Sequence, residues 1–120
     1  MTIQLKDPTL FKTQAFINGQ WVDGVKGETF SVYNPATNEL LAEVASVGLN
    51  ETQSAINDAQ TAMVDWRALP AKTRSDILER WYNLVIENAE DLALIMTAEQ
   101  GKPLFESRGE IGYGASCIKW

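Results

Sequence analysis

Cys117 is the only cysteine in a sequence that contains no histidine. A thiol attacks as its thiolate, and it needs a neighbouring base or positive field to become one. Without histidine there is no Cys–His dyad, no Ser–His–Asp triad and no histidine zinc site. Catalysis would fall to carboxylates, lysine or tyrosine. Two carboxylate pairs have the spacing of one helical turn, Glu106 with Glu110 and Glu87 with Asp91. Such pairs can divide acid and base roles, but with no cleft suggested around them they read as solvated helix faces. Gly101-Lys102-Pro103 resembles a phosphate loop only superficially. Such a loop needs GxxxxGK followed by Ser or Thr, between a strand and a helix. Here a glycine after a helical run reads as a C-cap, with proline just beyond. Cys117 itself lies near Gly114 and Ile118 on a helical pattern and reads as a small packing residue. Trp21, Trp66, Trp81 and Trp120 fall on strands or apolar stripes, so core packing is their expected role.

The elements that carry these residues follow from local chemistry. Ala15-Phe16-Ile17, then Asn18-Gly19, then Gln20-Trp21-Val22 predicts a tight antiparallel pair, because Asn-Gly suits a two-residue hairpin turn. Thr29 to Tyr33 alternates as a half-buried strand, Asn34-Pro35 breaks it, and Leu40 to Ala45 forms another strand. Asn50 with Gln53 predicts a capping box. Behind it, Ala55, Ile56, Ala59, Ala62, Met63 and Trp66 make a helical stripe, which Leu69-Pro70 ends. Ile77, Leu78, Trp81, Leu84 and Val85 form a second stripe. Asn88 with Asp91 predicts a fresh cap before Leu92, Ile95 and Met96. A last helix runs from Leu104 past Ile111, Ala115 and Ile118. The fold class expected is α+β: short N-terminal antiparallel strands followed by three or four helices. The division expected is an N-terminal extension (1–14), a β-rich segment (15–49) and a helical segment (50–120).

The bulk composition bounds the function. A chain of 120 residues, 45% hydrophobic and 22% charged, is long enough for one domain with a core. Its net charge of −6 argues against nucleic-acid or anionic-membrane partners, which require clustered Lys and Arg. A single cysteine fits a reducing compartment. No apolar run approaches the ~20 residues of a membrane span, and the start, MTIQLKDPTLFKTQ, lacks a signal-peptide core. A cytoplasmic protein is expected.

The order of motifs is specific: Leu10-Phe11 with Ala15-Phe16-Ile17-Asn18-Gly19, then VYNPATNELLAEV, then Trp66-Arg67-Ala68-Leu69, then Thr97 through Pro103. From about Leu10 to Trp120 the chain resembles the N-terminal part of the aldehyde dehydrogenase superfamily, and within it bacterial succinate-semialdehyde dehydrogenases. The resemblance implies a parent with the α/β aldehyde dehydrogenase fold that oxidises succinate semialdehyde to succinate with NAD or NADP, in 4-aminobutyrate degradation. It further implies that the nucleophilic cysteine, the water-activating glutamate and the nicotinamide-binding segments lie beyond Trp120. The chain then reads as a piece of a longer enzyme, inactive and without cofactor by itself. Its expected partners are the downstream domains and, in a homo-oligomer, further copies. In several relatives a carboxylate before the QGKP-like turn joins two backbone carbonyls in holding a monovalent cation. The matching positions are Val32, Tyr33 and Glu99, with glutamate where many relatives carry aspartate. The rival reading is a non-catalytic oligomerisation or binding module derived from the same family.

Overall fold

The computed structural model describes residues 3–120. Four strands and four α-helices follow one another in chain order. They are β1 (Ala15–Ile17), β2 (Gln20–Val22), β3 (Thr29–Tyr33), β4 (Leu40–Ala45), α1 (Leu49–Ala68), α2 (Ala71–Glu87), α3 (Ala89–Gln100) and α4 (Leu104–Lys119). The architecture is α+β, as expected, with each pair of strands forming its own two-stranded sheet. Every strand has the bounds its sequence predicts. Two short 3-10 turns, Pro8–Leu10 and Val25–Gly27, accompany them. Contacts sort the chain into two compact units, one of residues 3–11, 33–41 and 71–120, the other of residues 12–32 and 42–70.

The second unit holds the β1–β2 hairpin, α1 and the base of the β3–β4 hairpin. Asn18 (φ 49°) and Gly19 (φ 74°) both take positive φ, the turn whose twist matches the flanking strands. It sets Ala15 opposite Val22, Phe16 opposite Trp21 and Ile17 opposite Gln20. The Phe16 and Trp21 rings meet at 5.0 Å, and Lys12 Nζ lies 5.1 Å from the Trp21 ring. The amide of Ala45 donates to Thr13 O at 2.7 Å, and that of Ser46 to Glu28 O at 2.9 Å. Gly24 is buried in this corner. A Cβ there would fall on the Glu28 carbonyl and 2.7 Å from the Ser46 carbonyl.

α1 begins one residue before the expected cap. Gly48 is the N-cap, and Asn50 lies inside the first turn. Thr52 donates to Gly48 O through both its amide (3.0 Å) and its hydroxyl (2.9 Å), while Gln53 turns away to Asn57 Oδ1. A Cβ at Gly48 would lie 2.9 Å from Glu51 Oε2 and 3.3 Å from Val25 Cγ2. Glu51 in the first turn complements the helix dipole.

The first unit is built on α2, α3 and α4, with α2 and α3 both packing on α4. Its buried side chains are small or polar: Asp91, Ala93, Ser107 and Ala115. Thr97 Oγ1 and Ser107 Oγ share a hydrogen bond of 2.9 Å between α3 and α4, which satisfies a buried hydroxyl. Asn88 stands between α2 and α3 as expected, but it does not cap α3 with its side chain. Its Nδ2 donates back to Leu84 O at 2.8 Å, closing α2. Gly101 takes φ 74° and its amide donates to Thr97 O, the left-handed C-cap foreseen for α3.

Two packing expectations fail. Cys117 is exposed. α4 buries Ser107 and Ala115, and Cys117, two residues past Ala115, projects from another face. Trp21, Trp81 and Trp120 are also largely exposed. Trp21 meets Phe16 and Lys12 beside it, and Trp81 and Trp120 stay exposed at 56% and 103%.

Candidate functional site

The expected cation ligands sit around the turn after β3 and the end of α3. Asn34 organises the turn. Its Oδ1 accepts from the amides of Ala36 (2.9 Å) and Thr37 (3.4 Å). Its own amide donates to Glu39 O at 2.9 Å, and its carbonyl accepts from Asn38 N at 2.7 Å. Such self-bonding is how asparagine fixes a turn without strand pairing. Pro35 then projects toward α3: a Cβ on Gly101 would lie 2.9 Å from Pro35 Cγ. The missing Cβ is therefore used twice, for the left-handed cap and for this approach.

Within the first unit this contact brings the end of α3 to the turn that begins at Tyr33. Glu99 lies in the last turn of α3 and is exposed. A carboxylate there faces the negative end of the helix dipole. Val32 is half-buried on β3 and groups with the second unit. Among the described residues, no three His, Cys, Asp or Glu side chains gather to hold a metal. A site made mostly of backbone carbonyls is not of that type.

The carboxylate pairs are each used in some other way. Glu110 forms an ion pair with Lys102, so the lysine of Gly101-Lys102-Pro103 serves α4 rather than a phosphate. Glu106, Gly109, Glu110, Tyr113 and Gly114 line an open depression of about 600 Å³ along α4 alone. Asp91, expected on a solvated face, is only 5% exposed. It accepts from the amides of Lys6 (2.9 Å) and Asp7 (2.7 Å). A carboxylate in the first turn of a helix was the available signal, but spacing alone suggested a pair with Glu87. Beside it, Glu90 receives both Nε (2.7 Å) and Nη2 (2.6 Å) of Arg108. The Arg108 hydrogen bond holds the Glu90 carboxyl below its ordinary range. Among the described residues no helix is long and apolar enough to cross a membrane.

The sequence pattern of the aldehyde dehydrogenase family matches residues 21–120. The chain is 54% identical over 118 residues to a glutarate-semialdehyde dehydrogenase of Pseudomonas putida, covering 98% of this chain and 25% of that protein. It is 50% identical to the NADP(+) succinate-semialdehyde dehydrogenase of Escherichia coli K12, covering 98% of this chain and 24% of that protein. Its structure is similar to that of a succinate-semialdehyde dehydrogenase from Burkholderia pseudomallei, with a TM-score of 0.93 and 52% identity, over 97% of this chain and 24% of the other. The chain thus spans about a quarter of the length of these relatives.

Proposed function

The chain belongs to the aldehyde dehydrogenase family, and from that premise we propose that it forms the N-terminal scaffold of an NAD(P)-dependent semialdehyde dehydrogenase. Succinate semialdehyde is the substrate assigned, oxidised to succinate. The relative named for glutarate semialdehyde favours a second reading, the same chemistry on the next longer chain. NAD or NADP supplies hydride acceptance in the complete enzyme, and no residue of this chain is assigned to holding it. The thiol nucleophile and its base are likewise assigned to the remainder of the protein. Cys117, exposed and without histidine, has no activating partner of that kind.

The observation that carries the scaffold role is the exposure of α1. Its expected stripe includes Ile56 and Met63, yet both are more than half exposed, as is Val64. The half-buried positions of α1 are Ala55 and Trp66 of that stripe, together with Glu51 and Asp58. A helix whose larger aliphatic side chains are this exposed has an apolar face open to a further surface. The remaining three-quarters of the enzyme would supply that cover, and assembly into a homo-oligomer in the cytoplasm completes the reading.

The test is a chimera in which this chain replaces the matching quarter of the Escherichia coli enzyme. Reduction of NADP by succinate semialdehyde is expected in the chimera and not in the chain alone. Turnover by the isolated chain, or an inactive but folded chimera, contradicts the scaffold role. In the complete enzyme, the kcat/KM ratio for succinate over glutarate semialdehyde separates the two substrates.

A further inference from the structure

Residues 3–5 take no regular secondary structure, Lys6 and Asp7 form a bend, and the segment belongs to neither sheet. Their exposure alternates: Ile3 and Leu5 are half-buried, Gln4 and Lys6 exposed. Two consecutive main-chain N–H groups, those of Lys6 and Asp7, converge on the two oxygens of one buried carboxylate, Asp91. Immediately afterwards the chain closes on itself. Asp7 Oδ1 accepts from Thr9 N (2.9 Å) and Thr9 Oγ1 (2.7 Å), and Leu10 N and Phe11 N donate to Asp7 O and Pro8 O.

We propose that residues 3–11 are a strap that opens and closes on the helical unit as one cooperative piece, with the Asp91 carboxylate as its latch. The internal bonds of the 3-10 turn keep the piece together when it moves. The carboxylate holds it through charge-assisted bonds to main-chain donors, so the latch reads backbone and not side chains. Opening returns Asp91 to water, which offsets part of the lost bonding. It therefore costs less than unfolding α3, where amides open only with the helix. The open state bares the Asp91 carboxylate and frees Ile3 and Leu5, while α2, α3 and α4 stay packed.

Residue-resolved native hydrogen exchange on the chain tests this directly. In the wild type, the Lys6 and Asp7 amides are expected to exchange through one shared opening, at lower denaturant dependence than amides of α3 and α4. Lys6→Pro removes one donor at an exposed position without touching the helices. It should speed exchange at Asp7 by about tenfold or more. Asp91→Asn leaves one acceptor where two are needed and should speed both Lys6 and Asp7 similarly, while Lys6→Ala should leave Asp7 unchanged within about twofold. Exchange of Lys6 and Asp7 only with global unfolding overturns the proposal. So does wild-type exchange at Asp7 in Lys6→Pro, or equal acceleration throughout α3 and α4 in that variant.

Discussion

The two units solve the problem of burial differently. The helical unit contains every side chain that is buried among the described residues: Asp91, Ala93, Ser107 and Ala115. The other unit buries Gly24, which has no side chain to contribute. In the helical unit, small residues let α3 and α4 approach, and each buried polar group has a partner. In the other, close approach is achieved by backbone at Gly24, while Phe16, Leu49, Ile56 and Met63 stay exposed, Leu49 at 84%. A long helix does not make a core by itself. α1 is the longest helix among the described residues and has no buried residue.

That contrast can be broken first at Gly24. Gly24→Ala would place a Cβ against two carbonyl oxygens that belong to fixed backbone. A loss of about 3 kcal/mol or more is expected. It should appear as lost amide protection in β1 and β2 while α3 and α4 keep theirs. The helical unit answers at Gly101. Gly101→Ala forces a side chain into a left-handed conformation and against Pro35, with a cost of about 2 kcal/mol, read as a lower denaturation midpoint for α3 and α4. Next comes Ser107→Ala, which strands the Thr97 hydroxyl and should lower the stability of the same unit by about 1 kcal/mol.

The smallest effect concerns acid. Glu90 has a depressed folded carboxyl because Arg108 bonds its charged form. The pair's contribution is thus complete above the unfolded pKa, about 4.3, and fades as pH falls through the lower folded value. Glu90→Gln should lower stability slightly near neutrality, where the pair is intact, and leave it unchanged in strong acid, so that the acid side of the curve flattens. The side chains are exposed, so the difference is small. Comparing acid titrations of the two proteins by circular dichroism measures it.

The strands were legible because their signals are local: Asn18-Gly19 fixes one hairpin, and Asn34-Pro35 ends β3. Gly101 was legible because a helix that must stop needs a residue tolerant of positive φ. The start of α1 was missed because Asn50 is a good cap in isolation, whereas the cap is Gly48, whose carbonyl takes both the amide and the hydroxyl of Thr52. The tryptophans illustrate the reverse failure. Periodicity reports an apolar face and is silent on whether its cover lies within the same chain, so Trp81 and Trp120 were expected in a core that these residues do not build. Asp91 was hidden by its sequence neighbours, since its partners lie more than eighty residues away. For the cation ligands, the resemblance supplied Val32, Tyr33 and Glu99. The contact of Pro35 with Gly101 adds a local reason for the turn after Tyr33 to meet the end of α3.

The central claim is that α1 offers an apolar face to the rest of a dehydrogenase. Amide exchange of α1, followed in the isolated chain and in the chimera with the Escherichia coli enzyme, tests it most directly. The prediction is weak protection of Ile56 to Val64 in the chain, well below that of α3, rising to the level of α3 in the chimera. Equal protection of α1 and α3 in the chain alone would contradict it.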